Sequence, residues 1–132
     1  MLRQNIRELY YNKPIRYNGR LFFNGAHKAR YIDLMSLAKT NNIQFLKVYP
    51  HYNLSKSQMM SNGNKIGRVS FAGTFEYWDN DFERIVVEKI ISVPTGIYRT
   101  KLAWFLTIYG SKYIYREIKF TVRKKKNNES IV

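Results

Sequence analysis

The sequence predicts an α+β fold: an antiparallel sheet of about five to seven strands, strongly curved or partly closed, with one or two helices near the N-terminus. Three observations point there. Asn18-Gly19 separates two strand-like runs, the turn chemistry of a two-residue hairpin. Tyr31, Leu34, Met35 and Ala38 recur at the spacing of one helix face. From Ile66 onward, short runs alternate apolar and polar residues and end in turn residues.

Taken in order, residues 2–10 are expected to form a short helix, because Leu2, Ile6, Leu9 and Tyr10 share a face. Residues 13–23 are the hairpin, with Tyr17 opposite Arg20 and Arg16 beside the turn. Residues 28–40 are the best helix; Lys28 and Arg30 sit at its N-terminal end, where the macrodipole disfavours cations. Residues 43–49 read as a strand closed by Pro50. Residues 51–65 lack periodicity and read as a long mobile loop.

A strand over 66–78 follows, with Val69, Phe71, Phe75 and Tyr77 on one face, and Gly67 and Gly73 suited to bulges. Asp79-Asn80-Asp81 is a turn, and residues 82–93 return as a strand with Ile85, Val87, Ile91 and Val93 inward. After Pro94-Thr95-Gly96, residues 97–109 and 113–123 read as two long strands joined at Gly110-Ser111-Lys112, completing a four-strand antiparallel meander. Leu102, Trp104, Leu106 and Ile108 then face the core. Residues 1–126 are expected to form one domain and residues 127–132 a solvated tail.

Charge dominates the functional reading. The chain has 132 residues, with 23 Lys plus Arg against 9 Asp plus Glu, for a formal charge of +14. So large an imbalance destabilises a small domain by self-repulsion and points to a polyanionic partner. Five of the nine acids (Glu76, Asp79, Asp81, Glu83, Glu88) lie within residues 76–88, so the binding face is expected elsewhere. There is no Cys, which excludes disulfides and Cys-based zinc sites and fits a reducing interior. No apolar run is long enough to span a bilayer, and the N-terminus lacks a signal-peptide core, so an intracellular protein is expected. The abundance of Asn, Ile, Lys and Tyr is that of AT-rich coding sequence, as in viruses and mobile elements.

The expected function is non-catalytic binding of nucleic acid, single strands favoured. On the predicted wet sheet face, Phe105, Tyr109, Tyr113 and Tyr115 stand among Arg99, Lys101, Lys119 and Arg123. Rings there would stack bases and cations would neutralise phosphates. Arg16, Tyr17 and Arg20 add a hairpin tip, and Lys124, Lys125 and Lys126 add non-specific attraction. A free edge strand also allows self-association into a homodimer or higher oligomer. The alternatives are a capsid-like or nucleoid structural protein and a metal-dependent nuclease. The nuclease reading rests on Glu117-Ile118-Lys119, a carboxylate and a Lys on one strand face. No cofactor is expected. Asp79, Asp81 and Glu83 lack the glycine of a calcium loop, and His27 and His51 are too separated for a zinc signature.

Overall fold

The computed structural model describes residues 13–119. The chain runs β1 (Ile15–Tyr17), β2 (Arg20–Phe22), α1 (Gly25–Lys39), β3 (Ile43–Val48), β4 (His51–Ser55), β5 (Gln58–Met59), β6 (Lys65–Ile66), β7 (Val69–Ala72), β8 (Phe75–Asp79), β9 (Arg84–Ile91), α2 (Gly96–Tyr109) and β10 (Tyr113–Lys119). The fold is α+β, as the sequence predicts. The helix expected over residues 2–10 and the cationic run Arg123, Lys124, Lys125 and Lys126 lie outside the described residues.

The sheets differ from the expectation. In place of one curved sheet the described residues form a four-stranded sheet, order β10-β9-β8-β3, and three two-stranded ones, β1-β2, β4-β7 and β5-β6. None closes into a barrel. Within the central sheet β3, β8 and β9 pair antiparallel, whereas β10 pairs parallel to β9. A parallel pair cannot be joined by a tight turn and needs a crossover. Residues 96–109 supply it as α2, so the predicted strand over 97–109 is a helix. The second described helix therefore sits in the C-terminal half.

The reason is legible in retrospect. Tyr98, Leu102, Phe105 and Tyr109 are spaced for one helix face, and these four pack inward. Thr95 caps the start, its hydroxyl accepting the Tyr98 N–H at 3.1 Å. The alternation of Leu102, Trp104, Leu106 and Ile108 is incidental, and Trp104, Leu106 and Ile108 stand exposed.

The central sheet is covered on both faces. Val86 and Ile90 of β9 face α1 and the β1–β2 hairpin, in a core with Phe22, Tyr31, Leu34, Ile43, Phe75 and Tyr77. Val87 faces the other way, into Tyr52, Leu54, Phe71 and Phe105 beneath α2 and the β4–β7 ribbon. Burial on both faces explains why β9 carries adjacent apolar residues, Ile85-Val86-Val87 and Ile90-Ile91, in place of strict alternation. It also corrects its predicted inward set: Val86 and Ile90 are buried too, and Val93 lies exposed beyond the strand.

The predicted strand over 66–78 is broken at Gly73-Thr74, because β7 and β8 belong to different layers. A Cβ at Gly73 would stand 3.3 Å from both Pro50 Cγ and Val87 Cγ1, so the crossing point favours glycine. The predicted loop over 51–65 is instead β4, β5 and the turn beyond, the outgoing half of a long β-ribbon that β6 and β7 complete.

Candidate nucleic-acid interface

The β1–β2 hairpin forms as its dipeptide dictates. Asn18 and Gly19 both take positive φ, 54° and 77°, and Tyr17 pairs with Arg20. Phe22 anchors the hairpin in the core, and Tyr17 meets the Tyr31 ring edge-on at 6.2 Å. The Lys28 ammonium lies 5.2 Å over the Tyr17 ring, and the Arg20 guanidinium 6.0 Å over Tyr31. Arg16, Tyr17 and Arg20 are exposed and Lys28 of α1 is half-buried. Of the three predicted hairpin residues, Tyr17 and Arg20 pair on one face of the ribbon, and Arg16, paired with Leu21, is on the other.

The helix behind it starts three residues earlier than periodicity suggested, at Gly25. The side chain of Asn24 accepts the N–H groups of Ala26 and His27 at 3.0 and 3.1 Å, occupying donors an anion would otherwise use. Arg30 turns away from the helix end to Glu88, with two hydrogen bonds of 2.9 and 2.6 Å. Beside them, the Tyr49 hydroxyl accepts the Phe23 N–H at 3.0 Å and stands 2.8 Å from His27 Nδ1. Tyr49 holds φ 56°, a strained value that lays its ring against Phe23 at 4.9 Å.

The predicted stacking face is not assembled, and helical periodicity is the cause. Phe105 is completely buried, 4.8 Å from the Phe71 ring and 5.2 Å from Tyr52. Tyr109 and Tyr113 stack on each other at 5.7 Å, and the Tyr109 hydroxyl donates to the Asn53 carbonyl at 2.8 Å. Tyr115 meets Tyr98 hydroxyl to hydroxyl, and burial pushes its phenol up to about 12. These rings are occupied by one another. Arg99 and Lys119 are exposed, and Lys101 is half-buried on α2.

The acids are mostly engaged by protein groups. Glu76 accepts the Tyr52 hydroxyl at 2.6 Å and pairs with Lys47 at 3.4 Å. Asp79 Oδ1 accepts the N–H groups of Asp81 and Phe82, as an acidic turn requires. Glu117, half of the candidate nuclease pair, accepts the Tyr98 hydroxyl. Among the described residues no three His, Cys, Asp or Glu side chains come together as a metal would need. No described helix is long and apolar enough to cross a membrane.

Residues 7–129 match the model of a family described as "Protein of unknown function (DUF1064)". The chain belongs to the DUF1064 family. No curated protein and no solved structure matches it. The match extends over the hairpin, both helices, the central sheet and the ribbon of this family member.

That ribbon is what sequence reasoning missed. Beyond β4 and β7 it continues as β5 and β6, and every residue from Lys56 to Arg68 is exposed. Ser61, Asn62 and Gly63 form its loop. The Met60 N–H donates to the Asn64 carbonyl at 2.7 Å, and the Gly63 N–H to the Met60 carbonyl at 2.9 Å. Gly63 takes φ 91°, as a three-residue hairpin loop asks of its last residue. The signal was available: Asn62-Gly63 is the same dipeptide that marks the first hairpin.

Proposed function

We propose that the protein binds nucleic acid through phosphate contacts, without a chemical step of its own, inside the cell. One observation carries this reading: the β1–β2 hairpin presents exposed Arg16 on one face and exposed Arg20, with half-buried Lys28 nearby, on the other, whereas Glu76 and Glu88 are held by partners inside the fold. The field over that surface is positive at a net charge of +14, which steers a polyanion toward it. A preference for single strands has less to rest on, since Phe105, Tyr109, Tyr113 and Tyr115 pack against protein. Phosphates are the partners that Arg and Lys on a hairpin fit.

Fluorescence anisotropy with single-stranded and duplex DNA of equal length, over a salt series, tests the proposal. Binding is expected at low salt, weakening as salt rises by about 0.9 logarithmic units per phosphate contact. Arg16→Ala with Arg20→Ala should lower that slope by about two. Absence of binding to either form at low salt would overturn the reading.

A further inference from the structure

We infer that the β5–β6 arm is a duplex-binding element that enters the minor groove and kinks the DNA. The inference rests on the proposed nucleic-acid reading and gives it a substrate form.

The arm has no internal reason to exist. From Lys56 to Arg68 every residue is exposed, so no core holds it. A lone two-stranded ribbon is marginal in water. Yet it keeps Met59, Met60 and Ile66 in solvent, with Met59 67% exposed. Large apolar side chains at the end of a projecting ribbon are unfavourable unless a partner covers them.

Charge says what the partner is. Lys56, Lys65 and Arg68 lie along the arm, and no Asp or Glu occurs anywhere between Asp33 and Glu76. A polyanion therefore meets attraction along the whole ribbon and repulsion nowhere. Lys65 pairs with Met59 across the strands, so a cation and an apolar side chain share one face. The amides of Gln58, Asn62 and Asn64 flank them.

This combination is the chemistry of minor-groove binding. Lys, Arg, Asn and Gln follow the groove, and Met or Ile wedges between base pairs and unstacks them. Six residues out to the loop reach about 20 Å, enough to lie along a groove while the body of the protein stays on the phosphates. The two-residue gaps on either side, Lys56-Ser57 and Gly67-Arg68, join the arm to β4 and β7. A membrane also accepts basic and apolar side chains together, but the arm carries no Trp, Tyr or Phe for the interface and its uncharged polar groups are amides and hydroxyls.

The test uses the full chain and a duplex of about 30 base pairs labelled at both ends for energy transfer, long enough for its bending to be read. The intact protein should bind and raise the transfer efficiency. Met59→Ser with Met60→Ser should abolish that rise and weaken duplex binding about tenfold, since unstacking is then unsupported. Lys56→Ala with Lys65→Ala and Arg68→Ala should lower the salt slope of duplex binding by about two to three. Duplex binding that both arm variants leave unchanged would overturn the inference and spare the nucleic-acid reading. Failure to bind any nucleic acid would overturn both. Arm-dependent binding to phosphatidylserine vesicles with no bending of DNA would overturn it in favour of a membrane partner.

Discussion

Arg30 holds Glu88 with both ends of its guanidinium fork, Nε to Oε1 at 2.9 Å and Nη2 to Oε2 at 2.6 Å. Glu88 is completely buried, takes the Tyr77 hydroxyl at 2.5 Å, and has Arg116 3.6 Å away. The Glu88 hydrogen bond raises the Arg30 pKa further above its ordinary value, and burial with Glu88 beside it raises that of Tyr77. The contact pins α1 to the central strand. Arg30→Ala strands a carboxylate in the core and should cost about 3 kcal/mol. Replacing both partners, Arg30→Met with Glu88→Leu, should cost less than Arg30→Ala alone, because no buried carboxylate remains unpaired and Arg116, 40% exposed, keeps access to water. Urea unfolding of the three variants decides this; a double variant worse than the single one would contradict it.

His27 gives the fold a pH dependence with a definite sign. Burial, then the charge of Lys89, lowers its pKa from 6.5 to about 4. The Tyr49 hydroxyl, which accepts the Phe23 N–H, is hydrogen-bonded to His27 Nδ1 and holds the ring in place. In the unfolded chain His27 takes up a proton near its ordinary pKa, whereas in the fold it resists until about pH 4. Stability from this residue is therefore full above about pH 6.5 and falls as pH drops toward 4, by on the order of 2 kcal/mol. His27→Gln should flatten that decline. Unfolding free energies of both proteins at pH 7, 6, 5 and 4.5 show it, the difference removing carboxylates common to both. Parallel curves would refute the assignment.

Neighbouring positions on α2 separate a helix from a strand. Phe105 is buried among Phe71, Tyr52 and Tyr109, while Trp104 is 38% exposed. Phe105→Ala should cost about 3–5 kcal/mol, the usual penalty for emptying an aromatic site in a core. Trp104→Ala should cost about 1 kcal/mol, despite removing the larger ring. Thermal unfolding of the pair would give the opposite order if residues 97–109 were a strand with Trp104 inward.

That inversion also shows where the sequence was silent. The hairpin was legible because Asn18-Gly19 is local chemistry, and with it came Arg16, Tyr17 and Arg20 of the candidate interface. The first helix was legible from Tyr31, Leu34, Met35 and Ala38, though its cap, Asn24, lies four residues before the expected start. Residues 97–109 satisfy period two through Leu102, Trp104, Leu106 and Ile108, and helical spacing through Tyr98, Leu102, Phe105 and Tyr109. Their β-branched and aromatic residues suit either state in context. What decided the outcome was the parallel register of β10 on β9, a long-range fact no window contains. Glu88 was equally opaque: its partner Arg30 lies 58 positions away. Read locally, Glu88 was one of five acids on a solvated turn and strand.

The first hairpin can be loosened without touching a contact. Gly19 holds φ 77°, and a Cβ built there meets nothing within 4 Å. Gly19→Ala therefore adds backbone strain alone, about 1–2 kcal/mol for a left-handed residue that has a Cβ. The strain falls on a short exposed ribbon, so it should favour opening of β1 from β2 before the core responds. Hydrogen exchange is expected to speed up at the hairpin amides about tenfold, with the amides of β8 and β9 unchanged. Because the turn fixes the strands that carry Arg16 and Arg20, nucleic-acid affinity should fall with the loss of hairpin protection. Unchanged exchange at Tyr17 and Arg20 would mean that docking of Phe22 and Tyr17 onto α1, and not the turn, holds the hairpin closed.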